Sequence, residues 1–283
     1  MGLFKYNIEK YTPQQLMVIP LVLFVMSLMV LAFNMAATGM PVKPGIDFSG
    51  GTAVTIITFD SREQLQTTFS GYPLTEIGDV NNGKFLKFGT MDDKQYQSLT
   101  QLINQKYPDA KIDQIGESFG KSLQYQAALA LVFSFVGMAI VIFLSFRTFV
   151  PSVAVVLSAL ADMVMTAAVM NVVGITLSLG TTAALLMLIG YSVDSDILLT
   201  NRVLKRQGKL NDKLMGAFHT GMIMTSTTLA AAAALFIVSW FGSVQILMEI
   251  SAVLLIGLVA DIINTWLTNV GILKWYVLKG GGK

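Results

Sequence analysis

Six stretches of this chain carry few charges and run long enough to cross a bilayer: residues 15–37, 125–146, 150–173, 177–200, 221–240 and 245–275. A hydrocarbon core about 30 Å thick is crossed by about 20 apolar residues in a helix that rises about 1.5 Å per residue. The pattern therefore predicts six transmembrane helices. The first run follows Lys5 and Lys10 and precedes Ala36-Ala37, as the apolar core of a cleaved leader does. It exceeds the roughly 7–15 residues of such a core, so it is expected to stay as an anchor.

Between the first two runs the pattern changes. Residues 38–124 mix polar and apolar positions in short alternating segments. Residues 52–59 are β-branched and read as a strand, and Ser61 is placed to cap a short helix reaching Phe69. Residues 76–80 and 84–89 flank Asn81-Asn82-Gly83, a hairpin turn signal. Asp92 or Asp93 opens a helix that ends near Lys106, where Tyr107-Pro108 stops it. Residues 110–115 alternate as a last strand. The order β-α-β-β-α-β predicts a ferredoxin-like arrangement. The expected fold is an α-helical polytopic membrane protein of six transmembrane helices with an inserted ferredoxin-like α+β external domain. The expected divisions are a cytoplasmic N-terminus and first helix over 1–37, the external domain over 38–124, helices two to six over 125–275 and a cytoplasmic tail over 276–283.

Composition agrees with this class. The chain has 283 residues, 54% hydrophobic and 13% charged, where soluble domains carry about 25% charge. Without cysteine there is no disulfide or thiolate chemistry, and His219 is the single histidine, so a histidine metal cluster is excluded. No nucleophile–base pair or metal constellation is visible, so neither an enzyme nor a cofactor is expected, and nothing suggests a nucleic-acid partner. Arg147 and the group Arg202, Lys205, Arg206, Lys209 and Lys213 fill the loops on one side, with Lys274, Lys279 and Lys283 at the end. The opposite loops, 171–178 and 240–245, hold no Lys or Arg. The positive-inside rule then puts both termini in the cytoplasm, with the basic loop against anionic lipids.

Four aspartates lie inside the apolar runs: Asp162, Asp194, Asp196 and Asp261. Each costs about 2.5–3.5 kcal/mol to insert unless paired, hydrated or neutral, so such acids line ion paths or hold helices together. Asn264, Thr265 and Thr268 follow Asp261 on one helical face. That stripe reads either as a hydrogen-bonded seam, at roughly 0.6 kcal/mol per contact, or as a proton relay. Asp162, with Thr166 one turn on, is placed to bond hydroxyls of the fifth helix. Asp194 shares a face with Asn201. Asp196 points about 200° away from Asp194, toward the cytoplasmic edge and within reach of water or Arg202. Asp194 is thus the favoured relay carboxylate. Thr225, Ser226, Thr227 and Thr228 form a hydroxyl cluster suited to close helix packing.

Two motifs stand out. Gly45-Ile46-Asp47-Phe48-Ser49-Gly50-Gly51-Thr52 precedes the first strand and reads by itself as a glycine-rich turn. Ile189-Gly190-Tyr191-Ser192, continuing to Asp194 and Arg202, occupies the fourth helix. Together they resemble the SecD/SecF protein-export family of the resistance-nodulation-division superfamily, on its SecF side, as does Thr225-Ser226-Thr227-Thr228-Leu229. Asp194-Ser195 stands where bacterial members read Asn-Asp, and His219-Thr220-Gly221 lacks their arginine; these departures resemble the archaeal branch. The resemblance implies a subunit paired with SecD that assists export of unfolded preproteins through the Sec translocon channel, driven by a proton gradient. The rivals are half of a small-molecule or lipid exporter and a non-transporting scaffold of the translocon.

Overall fold

The computed structural model describes residues 10–80 and 83–280. Lys5, Lys283 and the Asn81-Asn82 turn lie outside the described residues. Helix α1, Pro13–Thr38, opens on a reciprocal cap between Thr12 and Gln15 and ends at Gly39 in the left-handed region. A single turn, α2, Ile46–Ser49, leads into the small α+β unit. Its elements are β1 Gly51–Ile56, α3 Arg62–Thr68, β2 Leu74–Val80, β3 Gly83–Phe88, α4 Asp93–Lys106 and β4 Lys111–Ile115.

The four strands lie in the order β2-β3-β1-β4, with every neighbouring pair antiparallel. With the chain order β-α-β-β-α-β this is the ferredoxin-like topology. Ser61 caps α3 reciprocally with Gln64, and Asp92 caps α4 through the Gln95 amide at 2.7 Å. Strand β1 stops at Ile56 rather than Phe59, because Ile56 pairs with Lys84 at the last rung of its partner and Phe59 is 96% exposed. The core gathers Val54, Leu65, Phe69, Leu86, Phe88 and Leu99. The Phe69 and Phe88 rings meet edge to face at 5.4 Å. Tyr107 closes this core by donating its hydroxyl to Asp60 Oδ2 at 2.6 Å. That bond holds the Asp60 carboxyl below its usual range, while burial and then the same carboxylate push the Tyr107 phenol up.

The remaining helices are α5 Glu117–Phe146, α6 Phe149–Val173, α7 Leu179–Lys205, α8 Leu210–Phe241, α9 Gln245–Ile263 and α10 Val270–Leu278. A π-helical segment, Asn264–Asn269, joins α9 to α10 without a break. Among the described residues, six helical rods are long and apolar enough to span a membrane. Their ends differ from the apolar runs: α5 starts at Glu117 rather than 125, α7 continues to Lys205 and α8 starts at Leu210 rather than 221. Hydropathy marks what suits hydrocarbon, whereas the backbone hydrogen bonds continue into polar turns. Helices α6, α7 and α9 form the buried centre, while α1, α5 and α8 turn side chains such as Phe33, Phe133 and Val238 outward. Helix α9 packs against both α7 and α8. Gly257 allows close approach to α7, for a Cβ there would overlap the Leu188 side chain.

Candidate functional site

Three of the four membrane aspartates converge where α6, α7 and the α9–π junction meet. Asp162 and Asp196 are fully buried and Asp261 is 1% exposed. On α6, Asp162 accepts through Oδ2 from Ser192 Oγ of α7 at 2.5 Å and through Oδ1 from Asn264 Nδ2 at 2.7 Å. On α7, Asp196 Oδ1 accepts from Thr265 Oγ1 at 2.8 Å and from Asn269 Nδ2 at 2.7 Å. On α9, Asp261 Oδ1 accepts from Thr265 Oγ1 at 3.0 Å and from Ser195 Oγ at 3.1 Å.

Among the described residues, the donors to these carboxylates are hydroxyls and side-chain amides. The hydroxyls are shared. Thr265 has one proton and two carboxylates in reach, so it serves one at a time. Ser195 likewise faces Ser192 O at 2.8 Å, Asp261, and Thr265 Oγ1 at 3.2 Å. Rotating either hydroxyl, or moving one proton, changes which carboxylate is satisfied. The network therefore has more than one hydrogen-bonding arrangement open to it without moving a backbone atom far.

The local helix geometry makes this seam. Along α7, positions 192, 195 and 196 are buried and bond side chains of α6 and of the α9–π junction. The π segment widens the turn, so that Asp261, Thr265 and Asn269 point to α7 while Asn264 reaches α6. Single π turns of this kind recur at functional sites. No group of three or more His, Cys, Asp or Glu among the described residues is grouped to hold a metal ion.

Not every expected residue joins the seam. Asp194 is exposed on the other side of α7, in a stripe with Gly190 and Tyr191; Asn201, two turns on, is half-buried. Asp196, expected toward water or Arg202, is turned inward, and Arg202 donates instead to Thr220 Oγ1 at 2.7 Å. Two helical positions are about 200° of rotation, which separates these two acids. Asp162 bonds Ser192 and Asn264 rather than hydroxyls of α8, and Thr166 returns its proton to Asp162 O at 2.6 Å. Thr268 donates to Asn264 Oδ1 at 3.3 Å. On α8, Thr225 is buried, Ser226 is exposed, and Thr227 and Thr228 bond Met224 O of their own helix. Sequence reasoning missed Ser195 and Asn269. The first was a letter beside the acids, and the second became visible only as a position eight beyond Asp261.

The first motif lies elsewhere. Asp47 Oδ2 accepts from Leu179 N at 2.8 Å, Phe48 is buried, and Gly50 and Gly51 adopt φ of 76° and 130° before Thr52 pairs with Phe88 in the sheet.

Fold and seam together define a multi-pass helical membrane protein with an α+β insert and a buried, hydrogen-bonded carboxylate core. A family model described as "Protein export membrane protein SecD/SecF, C-terminal" matches residues 95–279. The chain is 58% identical to the protein-export membrane protein SecF of Methanolacinia petrolearia, covering 99% of this chain and 100% of that one. It is 41% identical to SecF of Haloferax volcanii over 96% of this chain and 95% of that one. The SecF of Pyrococcus furiosus is 39% identical, with 96% of this chain and 93% of that one covered. The chain belongs to the SecD/SecF protein-export membrane family, as a SecF-like export subunit. The fold also matches a crystal structure of SecDF, described as a translocon-associated membrane protein, from Thermus thermophilus. The TM-score is 0.76 at 22% identity, covering 98% of this chain and 40% of that longer chain.

Proposed function

We propose that this subunit pairs with SecD beside the Sec translocon channel and uses a proton gradient to help unfolded preproteins complete export. The observation that carries the coupling is the buried seam, where Asp162, Asp196 and Asp261 share the hydroxyls of Ser192, Ser195 and Thr265. Three carboxylates in an apolar bundle are costly as mere packing, and shared hydroxyls suit groups that load and release protons. The exposed stripe of Gly190, Tyr191 and Asp194 on α7 is the face that SecD would cover, which keeps Asp194 a relay candidate at the subunit interface. Both termini lie in the cytoplasm in this reading. Residues 38–124 form an external domain that handles the emerging chain, and the basic α7–α8 loop meets membrane lipids.

The test is export into vesicles containing SecD and this subunit, with and without a proton gradient. Asp196→Asn and Asp261→Asn keep size and most hydrogen bonds but cannot titrate. Each is expected to assemble with SecD and lose the gradient's stimulation. Full stimulation in both variants would falsify the relay and favour a non-transporting scaffold.

A further inference from the structure

The Gly45–Thr52 motif takes no part in the seam, yet its contacts lead to the helix that forms one wall of it. The chain leaving α1 is zipped onto the last turn of α6 and the loop between α6 and α7. Asn171 donates Nδ2 to Pro41 O at 2.7 Å, and its Oδ1 accepts from Lys43 N at 3.2 Å. Leu177 N donates to Lys43 O at 2.8 Å and Gly45 N to Leu177 O at 2.7 Å. Asp47 completes the zip at Leu179 N, the first residue of α7. A carboxylate on that terminal N–H is charge-assisted and aligned with the helix dipole.

On its other side α2 is wedged against α5. A Cβ on Gly120 would stand 3.0 Å from Phe48 O, and one on Gly50 would stand 2.8 Å from the Glu117 Cα. Backbone meets backbone there, with no space for a side chain. Helix α7 then runs unbroken from Leu179 to Lys205 and carries Ser192, Ser195 and Asp196 into the seam.

We propose that Asp47 is a positioning residue that ties the α+β unit to the carboxylate seam through α7, so that a shift of this helix is delivered to the base of the unit. The proposal takes its purpose from the proton-coupled export reading. The joint itself is read separately.

The experiment uses the SecD complex in membranes, with Asp47→Ala and Asp47→Asn. The asparagine keeps an acceptor oxygen for Leu179 N; the alanine does not. Hydrogen exchange at the Leu179 amide is expected to rise about tenfold in Asp47→Ala and to stay near wild type in Asp47→Asn, with the α+β core amides unchanged in both. Gradient-stimulated export is expected to be lost in the alanine variant and kept in the asparagine variant. The chain has no cysteine of its own, so Pro44→Cys with Leu177→Cys, at bridge-paired positions, adds one defined tie. Closing that disulfide in the Asp47→Ala background is expected to restore stimulation. Unchanged exchange at Leu179 overturns the joint. Raised exchange with full stimulation, or with a loss that the disulfide does not restore, overturns the coupling. Wild-type export indifferent to the gradient overturns the relay and the purpose given to Asp47, while the exchange result still reports the bond.

Discussion

Thr265 shows how much rests on one hydroxyl. Its oxygen lies 2.8 Å from Asp196 Oδ1 and 3.0 Å from Asp261 Oδ1. Thr265→Val keeps the shape and removes the shared proton, so the gradient-stimulated export rate is expected to fall roughly tenfold. Thr265→Ser restores it; equal loss in both variants would point to packing instead. The stripe of Asp261, Asn264, Thr265 and Thr268 was legible because spacing along one helix fixes a shared face. Its partners were not, since Ser192 and Ser195 meet it only through the way α7 packs on α9. A second residue-scale prediction concerns Tyr107 and Asp60. Asp60 is depressed in the folded state, so its bond stabilises above the unfolded carboxylate value near 3.9 and that contribution is lost as pH falls through the lower folded value. Tyr107→Phe is expected to cost about 1 kcal/mol near neutral pH, measured by hydrogen exchange of the α+β core. The deficit should shrink on acidification below about pH 4. A deficit that grows with acid would contradict this.

Among the elements, the ferredoxin-like order could be read from turn and cap residues, because Ser61, Asp92 and Pro108 act on their immediate neighbours. The π segment could not. Nothing local in Asn264–Asn269 departs from an apolar helix with polar inserts, and the wider turn is set by side chains bonding to α6 and α7. Close contact between α7 and α9 is a precondition of the seam. Gly257→Val would drive a branched side chain into Leu188 and is expected to destabilise the bundle by roughly 1–3 kcal/mol. Thermal unfolding in detergent reads the loss, and gradient-stimulated export should fall with it. Wild-type stability in the variant would mean that the two helices are not held this closely.

For the molecule as a whole, hydropathy revealed six spans because it reports the solvent each segment prefers, but it says nothing about what covers the exposed Gly190, Tyr191 and Asp194 stripe of α7. The assembly reading expects SecD there. Expressed alone, the subunit should self-associate or degrade, and with SecD it should purify in mild detergent as one defined complex. A well-behaved monomer indifferent to SecD would contradict that reading. Strand β4 ends at Ile115, Gly116 follows, and α5 begins at Glu117; the other connection is the zipped chain through Pro41 and Gly45. The α+β unit thus has two stiff attachments and no slack tether at either. A rigid body pinned at two points has one easy motion left, rotation about the line joining them. On the proposed export reading the unit is a lever with a fixed axle, left free to tip about that line and held against drifting off it.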